Sequence, residues 1–211
     1  MSKQPVKPKL AKKQTKRKCP DNPDSAQATT YISVSFTVYG PFETPIQRKG
    51  NGVISFPSTN SGRLFALSGA NAHAADVGCY VMARQFGDSF TPLYVGKATK
   101  NFGREVFDVD KREKYRLAAE KFPTGNFVLF LLIPKPGENL GRANAIRDLE
   151  RHLVEKGKQV NSQLQNKKLV PKPTFRIEGI HNASPGQPRL DVQKFRRMMG
   201  YKTKAASVRK R

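Results

Sequence analysis

The sequence predicts an α/β (α+β) domain in which a small, mostly antiparallel sheet is flanked by helices. Three observations favour this fold: an alternating β-branched segment at residues 31–39, two strands that meet at a Gly-Asp turn, and helical periodicity on both sides of the apolar run Phe127–Ile133. The 211 residues are enough for one domain with extensions. No stretch approaches the roughly 18 apolar residues of a membrane span, so we expect no membrane partner.

Composition divides the chain into five parts. Residues 1–30 form a basic, aperiodic arm that we expect to be disordered, and residues 31–70 form an N-terminal β extension. Residues 71–168 hold the core, residues 169–200 hold a C-terminal strand and a basic helix, and residues 201–211 are a basic tail. The first apolar segment follows Thr30, so the sequence predicts no signal peptide.

The N-terminal extension predicts strands only. Alternating β-branched residues favour a strand over Tyr31–Tyr39 that ends at Gly40-Pro41. Two shorter apolar segments, Val53–Phe56 and Leu64–Leu67, predict further strands. Together they predict an additional β layer that carries no recognisable chemistry.

The core begins with a predicted hairpin of Gly78–Ala83 and Leu93–Gly96, joined by a long loop around residues 87–89. A single helix is expected from Gly103 to Phe122, capped by Thr99 or Asn101. The continuous apolar run Phe127–Ile133 predicts a central strand that is covered on both faces.

The second half of the chain predicts two more helices. The first runs over Arg142–Lys156 and ends at Gly157, with a buried stripe of Ile146, Leu149, Leu153 and Val154. A short strand over Phe175–Ile180 precedes a last helix over Asp191–Met199. That helix carries Lys194, Arg196 and Arg197.

The charge distribution points to a polyanionic partner. The chain has 39 Lys and Arg against 16 Asp and Glu, a net charge of +23. Residues 1–18 and 194–211 together hold sixteen of those basic residues and no acid. Nucleic acid is the commonest polyanion that such tails bind. Cys19 and Cys79 are too far apart for a disulfide framework and the three histidines add no zinc motif. A reducing, cytoplasmic location is therefore expected.

One ordered set of residues carries chemistry. Gly78-Cys-Tyr80 and Tyr94-Val-Gly96 lie on the two hairpin strands, Arg104 follows ten residues after the second tyrosine, and Glu150 and Asn161 come later. This set resembles the GIY-YIG nuclease family over residues 77–165. The stretch Pro92-Leu-Tyr-Val-Gly-Lys-Ala98 is similar to the restriction-enzyme branch.

The resemblance implies a role for each motif residue. Tyr80 would be the general base and Tyr94 its hydrogen-bonding partner. Arg104 would stabilise the transition state, Glu150 would bind the metal, and Asn161 would support the site. Lys97, Lys100, Arg196 and Arg197 are candidate contacts to the substrate.

Elementary chemistry agrees with several of these roles. A phenol has a pKa of about 10, so Tyr80 or Tyr94 needs a nearby cation or metal to act as a base. The planar Arg104 guanidinium matches a phosphate. A lone carboxylate, Glu150, suits one Mg²⁺ or Mn²⁺ ion that keeps most of its waters.

One position departs from the family pattern. Asp108 stands one helical turn after Arg104, where the family has His or Tyr; it would pair with Arg104 or join Glu150 as a second ligand. The leading hypothesis is a metal-dependent DNA endonuclease. The alternatives are a non-catalytic nucleic-acid-binding protein on a degenerate GIY-YIG scaffold and a structural protein whose basic tails coat nucleic acid.

Overall fold

A computed structural model describes residues 34–49, 54–135, 142–166, 180–181 and 189–201. The strands are β1 (Phe36–Glu43), β2 (Gln47–Arg48), β3 (Ile54–Ser55), β4 (Gly78–Phe86), β5 (Ser89–Ala98), β6 (Asn126–Pro134) and β7 (Ile180–His181). The helices are α1 (Ser61–Leu67), α2 (Phe102–Glu105), α3 (Val109–Lys121), α4 (Arg142–Val160) and α5 (Leu190–Met198). One 3₁₀ turn spans Asn71–His73.

Four antiparallel strands in the order β5-β4-β6-β1 form the main sheet, and the two-residue β7 pairs in parallel with the far side of β1. The apolar β6 lies in the middle, as its composition predicts, because it pairs with β4 on one side and β1 on the other. β2 and β3 form a separate two-stranded ribbon. The protein is therefore α+β.

Helices cover both faces of this sheet. One face, here called the α4 face, packs Phe130 and Val81 against α4 and α5. The opposite face, here called the α3 face, packs Leu129 and Leu131 against α1, α2 and α3. Alternate residues of β6 thus enter opposite cores, which confirms a strand covered on both sides.

The predicted N-terminal β layer is wrong in two respects. β1 joins the main sheet beside β6, and it continues through the cis Gly40-Pro41 peptide with a shift of register between Tyr39 and Phe42. The segment Leu64–Leu67 is helical, since the Asn60 side chain accepts a hydrogen bond from the Arg63 N–H and caps α1.

The predicted helix over residues 103–122 is two helices. Asn101 caps the short α2, and Asp108 caps α3 by accepting from the Lys111 N–H at 2.8 Å. α4 does not end at Gly157; it continues to Val160, where the Asn161 N–H donates to the Gly157 carbonyl at 2.7 Å.

The predicted hairpin is confirmed, but its loop is short. Phe86 pairs with Ser89, so the turn consists of Gly87 and Asp88 alone. The predicted arm of residues 1–30, the tail from residue 202 onward and most of the strand predicted before Ile180 lie outside the described residues. Among the described helices, none is both long and apolar enough to cross a membrane.

Candidate active site at the β4–β5 hairpin

Tyr80 and Gly96 are direct partners across the hairpin. A Cβ atom at Gly96 would lie 2.3 Å from Cζ and 2.4 Å from the hydroxyl oxygen of Tyr80, so the phenol occupies the space of the missing side chain. At Gly78, a Cβ would lie 2.1 Å from the Leu132 carbonyl oxygen of β6. Both motif glycines are therefore required by close packing.

The Tyr80 side chain is fully buried on the α3 face. Its hydroxyl makes no hydrogen bond to the part of the chain that the structure describes. Burial, together with the neighbouring phenols of Tyr115 and Tyr94, raises the pKa of Tyr80 well above its usual value. In this environment Tyr80 is a neutral phenol.

Tyr94 lies beside Tyr80 and closer to solvent. The two ring centroids are 6.2 Å apart, and the ring of Tyr115 contacts Tyr94 edge-on at 5.8 Å. The Lys114 ammonium lies 5.0 Å from the centroid of the Tyr94 ring and 3.5 Å from its hydroxyl. α3 therefore supplies a cation to the outermost phenol of a three-tyrosine cluster, Tyr80, Tyr94 and Tyr115.

The charge state of Tyr94 depends on nearby acids. Burial raises the pKa of Tyr94 above its ordinary value, and the negative charges of Glu150 and Asp108 raise it further. Both carboxylates are thus within electrostatic range of this phenol. A cation that neutralised either acid would lower the pKa of Tyr94.

Glu150 reaches the hairpin from α4. Its Oε2 accepts a hydrogen bond from the Lys97 Nζ at 2.6 Å, in an ion pair of which the Glu150 side chain is 23% exposed. Alternation along β5 puts Lys97 on the α4 face and the ring of Tyr94 on the α3 face. Glu150 and Tyr94 therefore approach β5 from opposite faces.

The predicted metal ligand is a single acid. Among the described residues, no cluster of three or more His, Cys, Asp or Glu side chains is suited to hold a metal ion. One Mg²⁺ ion that keeps most of its waters needs only one carboxylate. Lys97 binds Oε2, and Oε1 of Glu150 lies outside that pair, so the donor present fits one hydrated ion.

Asn161 has a supporting position. Its side-chain N–H donates to the Pro92 carbonyl at 2.8 Å, and its side-chain oxygen accepts from the Gln163 N–H. Asn166 then bonds both the N–H and the carbonyl of Val95, at 2.9 and 2.7 Å. The segment after α4 is therefore fixed along the outer edge of β5, on both sides of Tyr94.

Arg104 belongs to a different part of the α3 face. Its backbone N–H is bonded to the Asn101 cap, and its exposed side chain lines an open cleft of about 760 Å³ between α1 and α2. The cleft is lined by Thr59, Asn60, Ser61, Gly62, Ala74, Ala75, Asn101, Gly103 and Arg104. Neither Tyr94 nor Glu150 contributes to this lining.

Asp108 pairs with Lys111 and not with Arg104. Its carboxylate binds the N–H and the Nζ of Lys111, at 2.8 and 3.0 Å, as the cap of α3. Lys100 is exposed at the end of β5, and its N–H bonds the Glu105 carboxylate. The family's His or Tyr position therefore serves a helix start in this chain.

The two arginines predicted to contact substrate lie on the last helix. Arg196 is partly exposed and Arg197 is exposed on α5, which packs on the α4 face beside β1 and β5. They are therefore on the same face as Lys97 and on the face opposite to Tyr80 and Tyr94.

Three residues of the site were missed by sequence reasoning: Lys114, Tyr115 and Asn166. Tyr115 shows only as an apolar member of the α3 stripe, and no local motif marks Lys114 or Asn166.

Comparisons of the chain with known protein families, with curated proteins and with solved structures find no match.

Proposed function

We propose that this chain is a metal-dependent endonuclease of the GIY-YIG type that hydrolyses phosphodiester bonds in DNA, in the cytoplasm. One observation carries the proposal. Glu150 is paired with Lys97, the residue that follows the second motif, and lies within electrostatic range of Tyr94. An acid, an ammonium and a phenol at one strand are groups that phosphodiester hydrolysis needs.

Glu150 is the proposed ligand of one Mg²⁺ or Mn²⁺ ion. Such an ion supplies charge neutralisation at the phosphoryl oxygens and activation of water. Lys97 pairs with Glu150 in the structure. Once a metal ion neutralises the carboxylate, the Lys97 ammonium would also contact the substrate phosphate. Lys97 is 35% exposed, so it can reach both partners.

The proton step is assigned to Tyr94. The resemblance gives this step to Tyr80, but the Tyr80 hydroxyl is fully buried and its pKa is raised well above the usual value. Tyr94 lies nearer to solvent and beside the Lys114 ammonium. A cation at Glu150 would lower the pKa of Tyr94 by removing the negative charge that now raises it. Tyr80 then positions the ring of Tyr94.

Arg104 is the proposed contact to a neighbouring phosphate. Its exposed side chain lines the cleft between α1 and α2, whose wall also includes the small residues Gly62 and Ala75. A planar guanidinium binds phosphate in two-point geometry. DNA that contacts both the cleft and β5 would account for the separate positions of Arg104 and of the groups at β5.

The test is nicking of supercoiled plasmid by the full chain in Mg²⁺ and in EDTA. We expect nicking in Mg²⁺ only, with large losses in Tyr94→Phe and in Arg104→Ala. Arg63→Ala removes an exposed arginine of α1 and serves as the control. Nicking that persists in EDTA, or that both site variants retain, would refute the proposal.

The second candidate is a non-catalytic nucleic-acid-binding protein on the same scaffold. The capping of α3 by Asp108 favours it, because the position where the family has His or Tyr serves structure here. This candidate predicts salt-dependent retention of DNA or RNA with no cleavage in Mg²⁺ or Mn²⁺.

A further inference from the structure

Basic and aromatic side chains gather at the turn end of the hairpin, on the α3 face. Arg84 and Phe86 lie two residues apart on β4, so their side chains leave the same face. Arg48 comes from β2, and Phe122 follows the end of α3. These four residues, Arg48, Arg84, Phe86 and Phe122, are called the hairpin-end patch below.

Arg84 is held between two aromatic rings. Its guanidinium carbon lies 5.2 Å from the ring centroids of both Phe86 and Phe122. The Nε atom donates to the Thr124 carbonyl at 2.7 Å and one terminal nitrogen donates to the Thr124 hydroxyl at 3.0 Å. The other terminal nitrogen, Nη1, takes part in neither bond, so Arg84 is oriented while part of its fork remains for a ligand.

Arg48 is oriented in a similar way. One terminal nitrogen donates to the carbonyls of Ala119 and Phe122 at the end of α3, and the guanidinium lies 5.1 Å from the ring of Phe127. Burial lowers the pKa of Arg48 and the neighbouring charge of Arg84 lowers it further. Two guanidinium groups are thus close enough to repel each other.

No acid compensates these charges in the described residues. Neither Arg48 nor Arg84 takes part in an ion pair among the described residues. Arg116, on α3, pairs with Glu113 and Glu120. An uncompensated pair of oriented arginines is suited to an anion. Since Arg84 also lies beside the exposed ring of Phe86, the anion is expected to carry a flat group that can stack there.

Phe86 is the exposed member of the patch, with 61% of its surface accessible. Its ring stands next to the two-residue turn, where it contributes to neither of the two hydrophobic cores. A large apolar ring at a turn, stacked on an arginine, presents an aromatic face to a binding partner.

We propose that the hairpin-end patch binds a single-stranded segment of nucleic acid, with a base stacked on Phe86 and phosphates held by Arg84 and Arg48. This deepens the proposed function by placing a strand-binding surface beside its site, and it requires binding but not cleavage. Tyr94 pairs with Met82, so Phe86 is four residues farther along β4. That is about 13 Å along the strand.

The experiment measures binding of fluorescent single-stranded and duplex oligonucleotides by the full chain, in EDTA so that cleavage has no influence. We expect Phe86→Ala to weaken single-strand binding about tenfold, the size of one stacking contact, and to change duplex binding little. Phe86→Trp should restore it. Leu190→Ala, which removes an exposed apolar side chain of α5 on the other face, should leave it unchanged.

The second measurement is the salt dependence of single-strand binding. Arg84→Gln should reduce the salt dependence of single-strand binding by about one phosphate contact, and Arg116→Gln should reduce it less, because Arg116 already has two glutamates. Unchanged single-strand affinity in Phe86→Ala would overturn the inference. An equal loss of affinity for duplex DNA or for an acidic peptide would also overturn it, because the patch would then be a general anion site.

Discussion

The phenol of Tyr80 fills the space in which Gly96, its partner on the opposite strand, has no side chain. A Cβ there would lie 2.3 Å from the ring. The tyrosine of the first motif and the glycine of the second are therefore one packing unit. This packing accounts for Tyr80 and Gly96 without any appeal to catalysis.

Gly96→Ala should destabilise the protein because the new methyl group meets a ring that is enclosed on all sides. We expect a loss of about 1–3 kcal/mol in the free energy of unfolding, measured by urea denaturation. Gly62→Ala is the matched control: its Cβ would lie 3.4 Å from the Asn60 side-chain oxygen, an ordinary contact, at an exposed position of α1. That change should be neutral or stabilising by up to about 1 kcal/mol. Equal effects of the two substitutions would contradict the packing argument.

Tyr80→Phe should keep or raise the free energy of unfolding, because it removes a buried hydroxyl that has no hydrogen bond to the described residues. Tyr115→Phe should lower it by about 1 kcal/mol, since the Tyr115 hydroxyl donates to the Val106 carbonyl at 2.8 Å. Thermal and urea unfolding of both variants gives the comparison. A larger loss in Tyr80→Phe than in Tyr115→Phe would show that the Tyr80 hydroxyl has a stabilising partner.

Asn166→Ala should release the outer edge of β5. It removes both side-chain bonds to Val95, so hydrogen exchange of the Val95 N–H should become faster. Stability should fall by about 1–2 kcal/mol. Ser162→Ala alters an exposed residue of the same segment and is the control. Unchanged protection of Val95 would show that the segment is not fixed by this side chain.

Alkaline pH should destabilise the protein. Burial raises the pKa of Tyr80, Tyr94, Tyr115 and Tyr201 in the folded state. A free tyrosine ionises near pH 10, so above about pH 10 the unfolded chain has lost protons that the folded chain keeps. The free energy of unfolding is therefore fully retained below that pH and falls above it.

The measurement combines urea unfolding with tyrosinate absorbance between about pH 8 and pH 11. Folded protein should show less tyrosinate than the same chain in denaturant at about pH 10.5. The Tyr94→Phe variant should lose stability less steeply with pH. Simultaneous ionisation of all tyrosines near pH 10, without loss of stability, would contradict the burial of these phenols.

Local patterns predicted the hairpin, the central strand and the buried stripe of α4, because each depends on residues close in sequence. The chain break inside the predicted helix of residues 103–122 also has a local cause, since Asp108 is a good N-cap. In the sequence, Asp108 is equally suited to pair with Arg104 within one helix, so its role as an N-cap was not predicted. Leu64–Leu67 is too short an apolar run to distinguish a strand from a helix by its pattern, and the capping Asn60 marks it as helical.

Long-range features were not predictable in this way. The pairing of β1 with β6 joins segments about ninety residues apart, and no turn connects them. Asn166 bonds Val95 across 71 positions, and Lys97 meets Glu150 across 53. The sequence identified Glu150 and Lys97 separately, but their ion pair depends on how α4 packs against β5.

The most direct test of the central claim is the rate of DNA cleavage with protein in excess, in Mg²⁺, for Glu150→Gln and Glu155→Gln. Both substitutions remove one negative charge from α4, but Glu155 is exposed and Glu150 pairs with Lys97 at β5. We predict a rate ~100–1000-fold lower in Glu150→Gln and close to that of the unaltered chain in Glu155→Gln. Equal rates for the two variants, or no cleavage by the unaltered chain, would contradict the account.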